Sequence, residues 1–277
     1  MKQLLFGTAG IPLSSTLPTT VNGIKTIHTL GLGCLELAFV RSVYLTEKSV
    51  TDVKDAAKKF NVTLTAHAPY YINLNSKDKA KLQASQNRIY QTAKVAYLAG
   101  AYSITFHPGF YLKQDPKKVY YNILENLLEV MNKLDDDGIN IYVRPETMGK
   151  PTSFGNLDEV LMLSTKHENI LPCIDFAHLH ARSNGKFNTK KEFEEILNKV
   201  ENVLGKEALK NMHIHISGIE YSEKGERNHL PLKESDMNYR ELCKVWKDYK
   251  IKGVVICESP LMESDALLLK KFYSSKP

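Results

Sequence analysis

The chain has 277 residues, 43% of them hydrophobic and 25% charged, with a formal net charge of +6. That is an ordinary soluble globular composition with ample material for a core, and no run of 18 apolar residues is present to cross a membrane as a helix. The basic balance favours a polyanionic partner without requiring one.

The segment MKQLLFGTAG is too short and too soon broken by glycine to read as a secretory leader, so a cytoplasmic protein is expected. Cys34, Cys173, Cys243 and Cys257 are scattered, with no CxxC pair, and read as small buried apolar residues.

In chain order, apolar strand-like runs cover 2–7, 33–39, 62–67, 102–107, 139–146, 171–175, 211–217 and 253–258. They lack polar alternation, as strands buried on both faces do. Between them, 77–100 carries apolar groups at helical spacing and ends at Gly100, and 116–137 opens on a proline and closes at Gly138. Segments 189–204 and 236–250 are similar, each led by Thr or Asp. Eight alternations in one chain predict an α/β fold, a (β/α)8 TIM barrel formed as a single domain over residues 1–277.

Six of these runs end in a residue that can bind a metal: His67, His107, Glu146, Asp175 with His178, His215 and Glu258. The steps 67→107→146→175→215→258 are 40, 39, 29, 40 and 43 residues, about one strand–helix unit each. A ring of parallel strands brings such ends to one rim, where TIM barrels place their chemistry. Prolines just after His67 (HAP) and His107 (HPG) turn the chain there.

A carboxylate at the end of a buried strand, as at Glu146 or Glu258, is costly unless metal-bound or paired, for instance with Arg144. His213 and His215 are two apart and point the same way; His215 is nearer the rim, and His213 lies one layer deeper or serves instead. His180 reads as a supporting or exposed group. Glu226, Arg227 and His229 fall in the loop after the seventh strand. Histidine with carboxylate and no thiolate suits Zn2+ or Mn2+, with Fe2+ a further alternative. Closely spaced metals of this kind fit phosphoryl chemistry.

The motifs HAPYYINL (67–74), FHPG (106–109), ETMGKPTSFG (146–155), CIDFAH (173–178), HIS (215–217), HLPL (229–232) and CES (257–259), in this order, resemble the endonuclease IV family of apurinic/apyrimidinic endonucleases, with an archaeal flavour. The resemblance implies a TIM barrel with two or three metals, commonly zinc. His67 and His107 would hold the first, Glu146 would bridge it to the second, and Asp175, His215 and Glu258 would complete the second. His178 and His229 would hold the third, with Glu146 and Glu258 as the catalytic carboxylates.

The family's third site also takes an aspartate two residues before the loop histidine. Here that position is Arg227, with Glu226 beside it, and a gapless alignment from His213 matches Glu226 but puts Asn228 in the histidine's place. Tyr70 matches the family's lesion-reading tyrosine, Tyr71 is an added aromatic, and Arg41 is a loose DNA-contact candidate. Lys77, Lys79 and Lys81 can meet phosphates or merely begin a solvated helix.

The implied reaction hydrolyses the phosphodiester 5′ to an abasic site in double-stranded DNA and leaves a 3′-hydroxyl, with a monomer as the default unit. Xylose isomerase-like sugar isomerases and epimerases share this barrel and need only Glu146, Asp175, His215 and Glu258. A DNA-binding relative without catalysis is the third reading.

Overall fold

The computed structural model describes residues 1–275. Its strands are β1 (Leu4–Ala9), β2 (Cys34–Ala38), β3 (Thr63–His67), β4 (Ser103–Phe106), β5 (Tyr142–Pro145), β6 (Cys173–Asp175), β7 (Met212–Ile216), β8 (Gly218–Ser222), β9 (Gly225–Leu230) and β10 (Gly253–Cys257). All but β8 and β9 form one parallel sheet in the order β5-β4-β3-β2-β1-β10-β7-β6. Two parallel bridges, Val143 with Ile170 and Glu146 with Cys173, complete the ring between β5 and β6. This is the TIM barrel that the strand count predicts.

The helices are α1 (Thr20–Thr29), α2 (Glu47–Phe60), α3 (Lys79–Leu98), α4 (Pro116–Asp136), α5 (Leu157–Ser164), α6 (Phe176–Arg182), α7 (Lys190–Leu204), α8 (Tyr239–Asp248) and α9 (Glu263–Ser274). Caps set their first residues. Asp78 accepts from the Ala80 and Lys81 amides, so α3 starts just after the predicted Lys77. Asn238 accepts from the Glu241 amide, which moves the start of α8 three residues past 236. Thr189 and Glu192 form a capping box on α7. Among the described residues no helix is long and apolar enough to cross a membrane.

The core lies between the barrel wall and the helices, where Ile24, Ile89, Ile123, Leu127 and Ile196 are fully buried. Phe176 stands edge-on to Trp246 with ring centres 5.7 Å apart. All four cysteines are buried and unpaired, as expected.

Inside the barrel the packing departs from the usual aliphatic layers. Glu36, Thr65, Ser103, Arg144 and His213 are all fully buried. Arg144 pairs with neither Glu146 nor Glu258. Its guanidinium donates to the Pro172 carbonyl (3.1 Å), Asn211 Oδ1 (2.7 Å) and the Tyr102 hydroxyl (3.3 Å). It also lies 5.4 and 5.2 Å from the ring centres of Tyr102 and Tyr142, so π-faces and neutral acceptors stand in for an anion.

Candidate metal centre

The strand ends deliver the predicted residues to one pocket. His67 closes β3, Asp175 closes β6 and His215 lies in β7, while His107, Glu146 and Glu258 follow the last residues of β4, β5 and β10. Asp175 also caps α6, its Oδ1 accepting the His178 amide at 2.7 Å, so the D-x-x-H spacing is a strand end plus the first turn of a helix.

Donor atoms gather into three groups, each with its atoms within 4.8 Å of one another: His67, His107 and Glu146; Glu146, Asp175, His215 and Glu258; His178, Glu226 and His229. Glu146 joins the first two and borders the third. Its Oε2 lies 3.3 Å from His67 Nε2 and 3.5 Å from His107 Nε2, and its Oε1 lies 3.4 Å from His215 Nδ1 and 3.2 Å from His178 Nδ1. Glu258 Oε1 is 3.5 Å from His215 Nδ1.

A further group, Cys173 with His213 and His215, has little to offer a cation. Burial pushes the Cys173 thiol up to about 12, and the two nitrogens of His213 are 3.0 Å from Ser103 Oγ and Glu36 Oε2. His213 is thus the deeper residue and His215 the one facing the pocket. Burial depresses the His213 imidazole to about 4 against the pull of Glu36, so it is neutral.

The third group depends on a feature that the sequence does not show. Segment 218–230 is a two-stranded antiparallel ribbon rather than an irregular loop. Ile219 pairs with His229 and Tyr221 with Glu226, and a register shift between Glu220 and Tyr221 leaves Arg227 as the extra residue. Residues three apart on a regular strand face opposite sides. The bulge removes one step, so Glu226 and His229 share a face. Arg227 and Asn228 instead reach Glu220, at 3.3 and 2.9 Å. Between the two alignments open at the sequence level, the structure sets Glu226 and His229 together.

Gly225, at φ 88°, makes the ribbon's turn against residues 149–151. Gly149 admits the group sterically, because a Cβ there would fall 2.7 Å from Glu226 Oε2 and 3.0 Å from His178 Cδ2.

Ring orientation follows one rule. His67 Nδ1 donates to the Ala68 carbonyl (2.7 Å), His178 Nδ1 to the Thr147 carbonyl (2.9 Å) and His229 Nδ1 to the Glu258 carbonyl (3.2 Å). Each ring thereby turns Nε2 toward the pocket, the nitrogen that a metal-binding imidazole so held offers once deprotonated. His215 is reversed, with Nδ1 inward. His67 Nε2, both Glu146 oxygens, Asp175 Oδ2, both His215 nitrogens and Glu36 Oε1 are buried without a hydrogen-bond partner. Buried polar atoms are rarely left so. Orphaned lone pairs converging from histidines and carboxylates fit divalent cations.

The charge balance agrees. Burial alone would depress His178 and His215, but Asp175, Glu146 and Glu226 around the former, and Cys173, Glu258, Glu36 and Glu146 around the latter, hold both well above the usual histidine value. Burial would likewise raise Glu258, yet His215 holds it down at about 2. Asp175 is raised by burial and by Glu146 and Glu258. Protons here occupy the place of positive charge.

Tyr70 stands over the pocket mouth, its ring 5.5 Å from those of both His67 and His107. Its hydroxyl is pushed up to about 12 by desolvation and then by Glu258, Glu146 and Glu36. Tyr71 and Arg41 are exposed, as are Lys77, Lys79 and Lys81 at the start of α3. His180 is buried, not exposed, with Nδ1 2.7 Å from the Lys186 carbonyl and Nε2 3.1 Å from Asp236 Oδ1, outside the donor groups. Sequence reasoning passed over Glu36. Its signal was present, since it is the one charge in the apolar run GCLELAF, and such a charge needs a partner.

Fold and donor set together define a TIM barrel with groups able to hold cations massed at the carboxyl ends of its strands. A family model described as xylose isomerase-like TIM barrel matches residues 24–271, and the chain belongs to that family. An uncharacterized protein of Methanocaldococcus jannaschii is 48% identical over 272 residues, covering 98% of this chain and 97% of that one. A probable endonuclease 4 of Mycoplasma pneumoniae is 29% identical over 203 residues, 71% of this chain and 68% of that one.

Among solved structures, endonuclease IV from Thermus thermophilus superposes with a TM-score of 0.73 at 17% identity, covering 96% of this chain and 97% of its own. A D-tagatose 3-epimerase-like protein reaches the same TM-score of 0.73 at 18% identity, covering 96% and 94%. At such identities these likenesses speak for the fold alone.

Proposed function

We propose that this chain is a metal-dependent endonuclease that hydrolyses the DNA phosphodiester 5′ to an abasic site and leaves a 3′-hydroxyl. The observation that carries this reading is the third donor group, His178, Glu226 and His229. A sugar isomerase needs only the Glu146, Asp175, His215 and Glu258 set and has no use for a further pocket beside it. The relatives named probable endonuclease 4 support the same direction.

In this reading His67, His107 and Glu146 hold one cation, Glu146, Asp175, His215 and Glu258 a second, and His178, Glu226 and His229 a third, as zinc or manganese. Bound there, the cations supply Lewis-acid stabilisation of charge on the phosphodiester oxygens. The side chains do the rest by placement. Glu146 spends one oxygen on each of two neighbouring pockets, so it fixes their spacing. The main-chain carbonyls behind His67, His178 and His229 keep those rings turned inward. Tyr70 offers a π-face at the pocket mouth where an unpaired nucleotide would stack. Exposed Lys77, Lys79 and Lys81 give phosphate contacts and a salt-dependent affinity.

The second reading, a sugar isomerase or epimerase, draws on the intact four-residue set and on the epimerase-like fold neighbour. Incubation with a duplex carrying one abasic-site analogue, with and without chelation and restoration by zinc or manganese, separates the two. Chelator-sensitive incision 5′ to the lesion supports the nuclease. Metal-loaded protein that leaves the duplex intact but interconverts ketoses refutes it, and metal-loaded protein that binds the duplex and does neither is the non-catalytic relative.

A further inference from the structure

Among the histidines of the three donor groups, His67, His178 and His229 each turn their outward nitrogen to a main-chain carbonyl. His215 alone faces a side chain, with Nε2 3.0 Å from Glu36 Oε1, a charge contact at close range whose angle falls short of a hydrogen bond. Glu36 sits on β2, a strand that supplies no donor to the three groups of the centre. Its other oxygen accepts from the Thr65 hydroxyl at 2.9 Å and lies 3.0 Å from His213 Nε2. His213 is anchored in turn by Ser103 Oγ, 3.0 Å from its Nδ1.

All of these side chains are fully buried, and among the described residues no lysine or arginine forms an ion pair with Glu36. A carboxylate so placed carries a desolvation cost that burial of an apolar residue would avoid. What it can do that an apolar residue cannot is choose between the two tautomers of His215. With the proton on Nε2, the N–H lies against the Glu36 carboxylate, which attracts it, and Nδ1 carries a lone pair toward Glu146 at 3.4 Å and Glu258 at 3.5 Å. With the proton on Nδ1, the ring would bond its own neighbouring carboxylates and close the pocket to a cation.

We propose that Glu36 is the positioning residue of the second cation pocket: it holds the His215 proton on Nε2, so that Nδ1 is the ligand atom. Thr65 and the Ser103–His213 pair fix the carboxylate that does this. The inference rests on the reading of the centre as a divalent-cation site. It is indifferent to whether the substrate is a phosphodiester or a sugar.

The test is a Zn2+ titration against a competing chelator for the wild type, Glu36→Leu and Glu36→Gln, together with 15N–1H correlation of the histidine rings in the zinc-loaded wild type. The expected result is that Glu36→Leu weakens one cation by about 10–100-fold and leaves the others unchanged, the size seen when a partner behind a ligand is lost. Glu36→Gln, which keeps an acceptor for His215 Nε2, recovers most of that loss. In the wild type His215 carries its proton on Nε2. Unchanged affinities in Glu36→Leu overturn the proposal, as does a wild-type His215 protonated on Nδ1, and the latter decides the matter even if Glu36→Leu does not fold. Wild-type protein that binds no divalent cation overturns both this proposal and the metal-dependent function, whereas failure of the variant effect alone leaves that function standing.

Discussion

Gly149 binds nothing, yet its replacement is expected to empty one pocket of the centre. A Cβ built on it meets Glu226 Oε2 at 2.7 Å, Glu226 Cβ at 2.8 Å and His178 Cδ2 at 3.0 Å. Ordinary contact between such atoms begins about 0.5 Å farther out, so in Gly149→Ala both side chains must retreat by roughly that much. Metal–ligand distances tolerate only about ±0.2 Å, and the retreat therefore exceeds what the third group can absorb. Affinity for one cation should fall about 10–100-fold, with an overpacking cost to the fold of about 1–3 kcal/mol.

The first two pockets share no atom with this contact and should keep their cations. The assay is metal content by mass spectrometry after dialysis against graded chelator, with thermal melting on the same samples. Retention of every cation at wild-type affinity would refute the steric argument, and parallel loss from all pockets would refute the separation of the third group from the others.

Three further outcomes are expected. Glu146→Gln removes the charge shared by the first two pockets and should abolish turnover on the abasic duplex while weakening two cations at once; near-normal activity would sink the metal model. Tyr70→Ala should weaken binding to abasic duplex about 10-fold or more, the worth of one stacked base, and leave intact duplex nearly unaffected; equal losses in a fluorescence-anisotropy titration would refute the proposed lesion-reading role. Chelated protein should be most stable in mildly acidic solution. His178 and His215, raised above their ordinary 6.5, contribute stability that is present below that value and lost as pH rises through their folded-state values. Glu258, held at about 2, contributes stability that is lost only as pH falls toward that value. Melting temperature without metal should therefore drop from pH 6 to 9, and zinc should restore more at pH 8 than at pH 5.5; a metal-free melting temperature that climbs over that range contradicts the cluster's charge balance.

The barrel was legible because parallel strands covered on both faces leave uninterrupted apolar runs, and all eight expected runs hold a barrel strand. The donors were legible because each polar residue breaks its run at the rim. The β8–β9 ribbon was not, since GIEYS and GERNHL are half-exposed and mostly polar, and neither shows the alternation that marks a strand. The spacing of Glu226 and His229 looked irregular for the same reason, because a bulge is a property of pairing and leaves no signature in one strand alone. α1, TVNGIKTIHT, escaped notice through its β-branched residues and glycine, and is held by the buried Ile24 and Ile27 rather than by propensity. Glu36 was visible but its partners were not, since His213 lies 177 positions away.

The seam between β5 and β6 is where the ring is thinnest, with two bridges in place of a full ladder. Arg144 clips its lower part by joining β5 to Pro172 and Asn211, just ahead of β6 and β7. Higher up, Glu146 and Asp175 stand on opposite sides of the same seam. A cation held between those two carboxylates would be a rivet across it. Its departure would loosen the barrel along one line, and slowed amide exchange at Thr147 and Asp175 would report occupancy of the centre without any substrate.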